Sequence, residues 1–431
     1  MSNKYCYNTD IKTIMTIDKE SFCYVPFYEL YVEEGVYGNV GTQRIRNCCI
    51  QTDSYETDDV FVQDPKSIGE IPTIKKIRKQ FLEGKKPKEC VRCWQFENKG
   101  LESFRQSFNS AYTTNDMPVG DTFDIRSIDL RLSNKCNLSC KMCNAHDSNQ
   151  IAKTQWNAYT QGAWKPIDIS VEEFEKRINP ANHITRKNFI RSSEHNLVDN
   201  IINFIKTHVK NKCRIKIAGG EPFIMPEVEE LFTKCIEHKL QDKLFFFIVT
   251  NATTVKQSMI KNIQQFDHIV SLSVDGVGDW LEYQRTGAKW SVIDQNVDEL
   301  SSALKTNLIP CWSHLNLFSL PSFLKWVATK SNIIDVFCSE VTWPTYLNWE
   351  LIPMHYRKPL LDQLSSCTIP ANVYKTQKQS YKNLIKNIAT EFRKPTHQET
   401  QELRNAVDLW DFQHSVPYVD TYKWGKELLE Q

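Results

Sequence analysis

The chain lacks a dominant charge, a long apolar run, a recognisable secretory leader and any internal repeat. Its 53 Lys and Arg against 52 Asp and Glu leave a net charge of +1. No global charge imbalance therefore argues for nucleic acid or an anionic membrane surface. The most apolar run, LFFFIV at 244–249, is far too short to cross a bilayer, which takes about 20 residues of helix. The opening residues MSNKYCYNTDIKTIMTIDKE contain no continuous apolar stretch, so no signal peptide is expected. These absences predict a soluble, cytoplasmic protein.

What is present is a 431-residue chain with 41% hydrophobic and 24% charged residues, enough for a large core and two or three domains. Cysteine is the conspicuous residue: there are fourteen, nine of them before residue 144. In a long chain without a secretion signal, clustered cysteines suggest metal or redox chemistry rather than a disulfide framework. Cys213, Cys235, Cys311, Cys338 and Cys367 are scattered singly and read as buried small hydrophobes. Cys6 is given no role.

Alternating apolar and polar residues predict strands at 128–133 (IDLRLS), 214–220 (RIKIAGG), 244–251, 269–276 (IVSLSVDG), 308–316 and 334–341. Helical faces lie between them, formed by Val198, Ile201, Ile202, Ile205 and Val209, and by Ile293, Val297, Leu300 and Leu304. Strand and helix alternate after residue 213 as in a parallel α/β sheet, with LFFFIV as a central strand covered on both faces. About seventy residues separate Cys143 from the second strand. That insertion, with Trp156 and Trp164, reads either as a lid or substrate-contacting element or as a peripheral helical decoration. The first ~120 residues differ, with short aromatic strands (FCYVPFYELYVEE) and a basic amphipathic helix near IPTIKKIRKQFLEG. Beyond 345 the chain is expected to be helical, and its basic stretch YKTQKQSYKNLIKNIATEFRK reads as a solvated helix face.

Cys136, Cys140 and Cys143 fall within eight residues, directly after the first strand of the sheet. An iron–sulfur cubane usually takes four cysteines, so three suggest a cluster with one iron kept open for a small molecule. In parallel α/β folds active sites form where strands end and loops begin. The other strand ends carry Gly219, Gly220 and Glu221; then Thr250 and Asn251; then Ser273 and Asp275; then, farther on, Arg285; and finally Asn316. The two glycines allow close approach to the backbone, Glu221 can accept from an ammonium, and Arg285 suits a carboxylate. A structural zinc site is the alternative for the triad, with His146 as a fourth ligand. So is a helical stripe of buried cysteines at i, i+4, i+7.

A second cysteine group precedes the sheet: Cys23, Cys48, Cys49 and the pair Cys90 and Cys93, the last two among charges in KPKECVRCWQFE. A CxxC with cysteines upstream suits a four-cysteine zinc site or a second Fe–S cluster. Of Cys48 and Cys49, either can be the ligand, because adjacent side chains point apart.

Taken in order along the chain, the CxxxCxxC loop, GGEP, SVDG and Arg285 resemble the radical S-adenosylmethionine (radical SAM) enzymes. The resemblance implies an α/β partial (β/α)6 TIM-like barrel over 124–345. A small N-terminal Cys-rich α+β module (1–120), resembling the twitch or SPASM type, would precede it, and a helical C-terminal extension (346–431) would follow. It implies that Cys136, Cys140 and Cys143 ligate a [4Fe–4S] cluster whose open iron chelates S-adenosylmethionine. Gly219, Gly220 and Glu221 would meet the methionine amino group, with Ser273 and Asp275 near the ribose and Arg285 at the carboxylate. Thr250, Asn251 and Asn316 would complete the cofactor site. Met142 departs from the pattern, standing where the family usually has an aromatic residue. The N-terminal cysteines would hold an auxiliary [4Fe–4S] cluster, with zinc as the alternative, and an external donor of flavodoxin or ferredoxin type would supply electrons. The implied chemistry is reductive cleavage of S-adenosylmethionine and hydrogen abstraction by a 5′-deoxyadenosyl radical. The substrate leans to a peptide or protein, with a carbohydrate or other small metabolite as the alternative. A non-catalytic zinc-binding interaction protein is the rival from another class.

Overall fold

The computed structural model describes residues 6–7, 15–16, 21–34, 43–51, 54–113, 116–179 and 197–430. At its centre is a nine-stranded sheet. Its strands are β1 (Glu29–Glu34), β2 (Gln43–Arg46), β3 (Tyr55–Thr57), β4 (Ser127–Arg131), β5 (Cys213–Ile217), β6 (Leu244–Thr250), β7 (Asp267–Leu272), β8 (Thr306–Leu308) and β9 (Ile333–Val336). The spatial order is β9-β8-β7-β6-β5-β4-β1-β2-β3. From β4 to β9 each strand lies parallel to the next in sequence, a mixed α/β fold consistent with the TIM-like half barrel. The N-terminal region joins this sheet: β1 pairs parallel with β4, and β2 and β3 extend it antiparallel.

Helices cover the outer face because their apolar stripes match it. Ten matter here: α1 (Pro72–Leu82), α2 (Asn149–Thr160), α3 (Val171–Ile178), α4 (Leu197–His208), α5 (Pro226–Glu237), α6 (Trp290–Ala303), α7 (Leu320–Val327), α8 (Met354–Ser365), α9 (Lys375–Thr390) and α10 (His397–Gln413). In α4 the buried residues include Val198, Ile201, Ile202 and Ile205, and in α6 they include Ile293, Val297 and Leu300, the two faces legible from their 3.6-residue period. In α1, Pro72 opens the helix, where its missing N–H costs nothing, and Ile74, Ile77 and Phe81 are buried. The region after 345 is helical, as expected, in α8, α9 and α10, and no described helix is long and apolar enough to cross a membrane.

Three expectations need correction. LFFFIV is central but not covered on both faces: Leu244, Phe246 and Ile248 are fully buried under the helices, whereas Phe245, Phe247 and Val249 are half-buried on the concave side. The strand expected at 308–316 ends at Leu308. Pro310 has no N–H for a ladder, the N–H of Cys311 goes to Asp275 Oδ1 (2.8 Å), and Cys311–Trp312 pairs instead with Ser339–Glu340. For the same reason the last expected strand, 334–341, is split after Val336. The long insertion contains α2 and α3, and its residues 180–196 lie outside the described part.

The concave face of β1, β4 and β5 is ionic. Lys216 donates to Asp129 (2.6 Å), Arg214 to Glu29 (2.7 Å), and Arg131 faces Asp129 at 3.2 Å. Strand register aligns Tyr31, Asp129, Lys216 and Phe247 in one row, and the alternating pleat turns the apolar residues between them outward.

Candidate active site

The loop after β4 carries Cys136, Cys140 and Cys143 to the C-terminal edge of the parallel strands. All three line one cavity of about 270 Å³. Its wall is built from strand ends: Arg131 at the end of β4, Gly219 and Gly220 after β5, Thr250 and Asn251 at the end of β6, and Ser273 after β7. Arg285 closes it from the side, because Arg285–Thr286 pairs antiparallel with Ser139–Cys140. Residues as far apart in sequence as Arg131 and Arg285 thus share one wall.

The cysteine loop is held by backbone zippering. Gly220 N–H donates to Asp147 O (3.0 Å) and Glu221 N–H to Lys135 O (2.8 Å). Gly220 has φ +60°, and a Cβ there would lie 2.5 Å from Lys135 O and 2.9 Å from Ser133 O. The close approach anticipated at this glycine is therefore made by the chain's own cysteine loop. Asn251 Nδ2 donates to Asn137 Oδ1 (3.0 Å) and Asn137 Nδ2 to Thr253 Oγ1 (2.7 Å), which ties the same loop to the end of β6.

Three of the expected cofactor contacts stand behind the wall rather than in it. Glu221 is fully buried, and its carboxylate already accepts from Thr250 Oγ1 (2.6 Å), Phe223 N (3.0 Å) and Asn251 N (2.7 Å). Burial raises its pKa above the ordinary carboxylate value despite these donors. Asp275 is fully buried too; Oδ2 accepts from Arg285 Nε (2.6 Å) and Oδ1 from Cys311 N (2.8 Å). Asn316 spends its amide on Asp275 O (2.6 Å) and Cys311 O (2.9 Å). Glu221 and Asp275 position what does line the cavity: Asn251 and Thr250 for the first, Arg285 for the second. Of the expected cofactor residues, Gly219, Gly220, Thr250, Asn251, Ser273 and Arg285 line the cavity, joined by Arg131, which sequence reasoning missed. A signal for Arg131 existed: it shares strand parity with Asp129, opposite to Ile128 and Leu130.

Burial lifts the pKa of the triad thiols, that of Cys140 to about 11, so free thiolates are disfavoured. A bound metal reverses that by taking the place of the proton. Arg285 opposes the desolvation locally, its Nη1 3.8 Å from Cys140 Sγ. His146, the fourth ligand of the zinc alternative, is engaged elsewhere: its Nε2 is paired with Glu33 of β1. Among the described residues no three His, Cys, Asp or Glu side chains converge tightly enough to hold one ion. A cubane asks for a different arrangement, with each thiolate on its own iron at the corners of a larger body. The three thiols around one cavity fit that group.

The N-terminal cysteines also meet. Cys23, Cys48, Cys90 and Cys93 line one small cavity, with Phe81, Phe104 and Arg105. Cys23 and Cys48 each lie within electrostatic reach of Cys90 and Cys93. Burial pushes Cys90 up to about 12 and Cys93 to about 11. Cys49 does not line this cavity; Lys216, Asp129 and Arg131 lie within electrostatic reach of its thiol, as do Cys48 and Cys93. Arg105 stands by as a cation, held by Glu97 (2.9 and 2.8 Å) and Phe22 O (2.7 Å). Four thiols on one apolar cavity fit a second four-cysteine group.

A larger cavity, of about 430 Å³, lies on the other side of the triad loop and shares Cys140 and Cys143 with the first. The insertion contributes Trp164, α10 contributes Trp410, and Trp343 and Tyr346 come from the stretch between β9 and α8. At its floor Lys141 donates to Gln413 Oε1 (3.3 Å) and lies 5.1 Å from the Tyr283 ring, burial pulling its pKa down to about 7.

A cysteine triad at the C-terminal edge of parallel strands, ringed by strand-end polar groups, defines a cofactor-dependent enzyme site. Residues 130–327 match the model of the radical SAM superfamily, a segment running from β4 through α7 and including the triad. The chain is 23% identical over 168 residues to an uncharacterised protein of Methanocaldococcus jannaschii, covering 38% of this chain and 44% of that one. It thus spans less than half the length of that curated relative. Among solved structures it is similar to SuiB of Streptococcus suis bound to S-adenosylmethionine (14% identity, 57% of this chain and 49% of that one, TM-score 0.33). It is similar also to anSMEcpe with bound AdoMet (16% identity, 56% and 57%, TM-score 0.36). The family match thus covers 130–327, the segment that holds the triad and every strand end lining its cavity.

Proposed function

We propose that this chain is a radical SAM enzyme with an auxiliary cluster, acting on a peptide or protein. The observation that carries the reading is the meeting of Cys136, Cys140, Cys143, Gly219, Gly220, Thr250, Asn251, Ser273 and Arg285 around one cavity. Cys136, Cys140 and Cys143 would hold a [4Fe–4S] cluster, which would supply the electron for reductive cleavage of S-adenosylmethionine. The protein's own work is placement and exclusion of water. Arg285, fixed by Asp275 (2.6 Å), presents a cation to the carboxylate of the bound sulfonium. Ser273 and the Thr250–Asn251 strand end offer hydroxyl, amide and backbone groups to the remaining polar atoms, and the Gly219–Gly220 turn lines the same wall. Cys23, Cys48, Cys90 and Cys93, which line one cavity, would hold the auxiliary cluster.

A peptide or protein substrate is supported by the aromatic cavity that shares the triad loop. Its walls come from the insertion and the C-terminal region together, and Trp164, Trp343, Tyr346 and Trp410 offer faces on which an extended chain can lie. Anaerobically purified protein tests the reading: about eight irons per chain, and 5′-deoxyadenosine formed from S-adenosylmethionine and dithionite, are expected. Zinc in place of iron with no deoxyadenosine overturns it. Loss of turnover, but not of deoxyadenosine, in a Trp410→Ala variant is expected if that cavity seats the substrate.

A further inference from the structure

The four-cysteine cavity has one lining side chain whose polar atoms have nowhere to go. Asn47, directly after β2 and immediately before Cys48, is 2% exposed. Its backbone N–H is satisfied by Gln51 Oε1 (3.2 Å), but both Nδ2 and Oδ1 of its side chain are buried without a hydrogen-bond partner. The same side chain lines the cavity ringed by Cys23, Cys48, Cys90 and Cys93. Most of the remaining lining is apolar, including Val25, Ile77, Phe81 and Phe104. A buried amide among hydrocarbon is costly unless something in the cavity bonds to it. The thiols there are the sulfur atoms of the auxiliary site, and an Fe–S cluster presents sulfide and thiolate acceptors in that space.

We infer that Asn47 Nδ2 donates a hydrogen bond to a sulfur of the auxiliary cluster and raises that cluster's reduction potential. The inference rests on the four-cysteine reading of the N-terminal site. The physical reason is electrostatic: reduction adds negative charge to the cluster, an N–H aimed at its sulfur stabilises the more negative state, and the apolar lining strengthens that dipole. Asn47 is a positioning and tuning residue; no bond is made or broken at it.

The test uses the full chain with Cys136, Cys140 and Cys143 all changed to Ala, so that only the auxiliary site can carry iron. That parent is expected to hold about four irons; zinc or no metal there overturns the four-cysteine reading, and the inference with it. With iron present, redox titration followed by EPR is expected to give a more negative midpoint in Asn47→Leu than in the parent, with Asn47→Ser between them because its hydroxyl still donates. Equal midpoints at equal iron content overturn the role of Asn47 while leaving the cluster intact. The parent itself gives a second readout, independent of whether the variants assemble. Side-chain 15N-labelled asparagine is expected to produce a weak nitrogen coupling to the reduced cluster in pulsed EPR, and its absence overturns the hydrogen bond.

Discussion

At Gly220 a single missing Cβ decides whether the cysteine loop can close. The position has φ +60° and faces two carbonyl oxygens of that loop at 2.5 and 2.9 Å from where a Cβ would stand. Gly220→Ala is therefore expected to cost about 2–4 kcal/mol, the sum of a strained backbone and an overpacked contact. Thermal unfolding of the metal-free protein measures it, and an unchanged Tm would show that the loop is not seated as described. On the proposed reading Cys140 contributes its sulfur to the cluster as well as packing in the core. Cys140→Ala should abolish 5′-deoxyadenosine formation and lower the iron content from about eight to about four per chain, with the N-terminal site still loaded. If that variant still cleaves S-adenosylmethionine, the triad is not the catalytic cluster site. Local sequence carried the triad itself, since three cysteines in eight residues can be counted without a fold. It did not carry the choice between Cys48 and Cys49. Their surroundings are set by residues some forty to a hundred and seventy positions away: Cys90 and Cys93 share a cavity with Cys48 but not with Cys49, and Lys216 is the strongest cationic influence on Cys49.

At the scale of elements, the segment that follows β8 is pinned by the C-terminal end of the chain. His314 is fully buried, its Nε2 3.1 Å from Tyr418 Oη, and Tyr422 donates to Leu315 O (2.9 Å). Burial lowers the pKa of His314 from 6.5 to about 3. The unfolded chain, with an ordinary histidine, takes up a proton first on acidification, so the stability present above about pH 6.5 is lost as pH falls toward 3. A steeper fall of Tm between pH 7 and pH 4.5 is expected for the wild type than for His314→Gln; parallel curves would remove His314 from the acid response. Most strands and the two amphipathic helices were legible because alternation and the 3.6-residue period report burial directly. The break after Leu308 was not, because it depends on a proline inside an apolar run and on a distant carboxylate, Asp275, that takes the N–H of Cys311. The protein partners of Glu221, Asp275 and Asn316 were likewise not legible, since a strand end locates a side chain but not the groups that reach it.

Across the whole molecule, the N-terminal and C-terminal regions are stitched to each other as well as to the sheet. Lys99 pairs with Glu340 (3.1 Å) and Glu350 (2.5 Å), while Asn383 and Asn387 donate to the carbonyls of Gly100 and Lys99. Glu340 is 1% exposed at its side chain, and burial raises its pKa against the pull of Lys99. Lys99→Met leaves that carboxylate buried beside Glu350 without its cation, which should destabilise the protein by about 3–5 kcal/mol at neutral pH. The loss should shrink at pH 5, where Glu340 can take up a proton and become neutral. Denaturant unfolding of variant and wild type at pH 7.5 and pH 5 checks this, and a pH-independent difference would mean that Glu340 keeps another counter-charge.

The amino-acid sequence by itself determined the alternation of strand and helix, the triad at the end of the first strand of the parallel run, and the second cysteine group ahead of it. Those features rest on spacing along the chain, which local geometry converts into shared faces and shared loops. Only the tertiary structure decided that β1, β2 and β3 continue the same sheet, that Cys48 rather than Cys49 joins Cys23, Cys90 and Cys93, and that Asp275 serves Arg285. Each of those outcomes depends on which buried polar group meets which partner across the fold. That is a contest among desolvated groups from distant segments, and no single segment contains it.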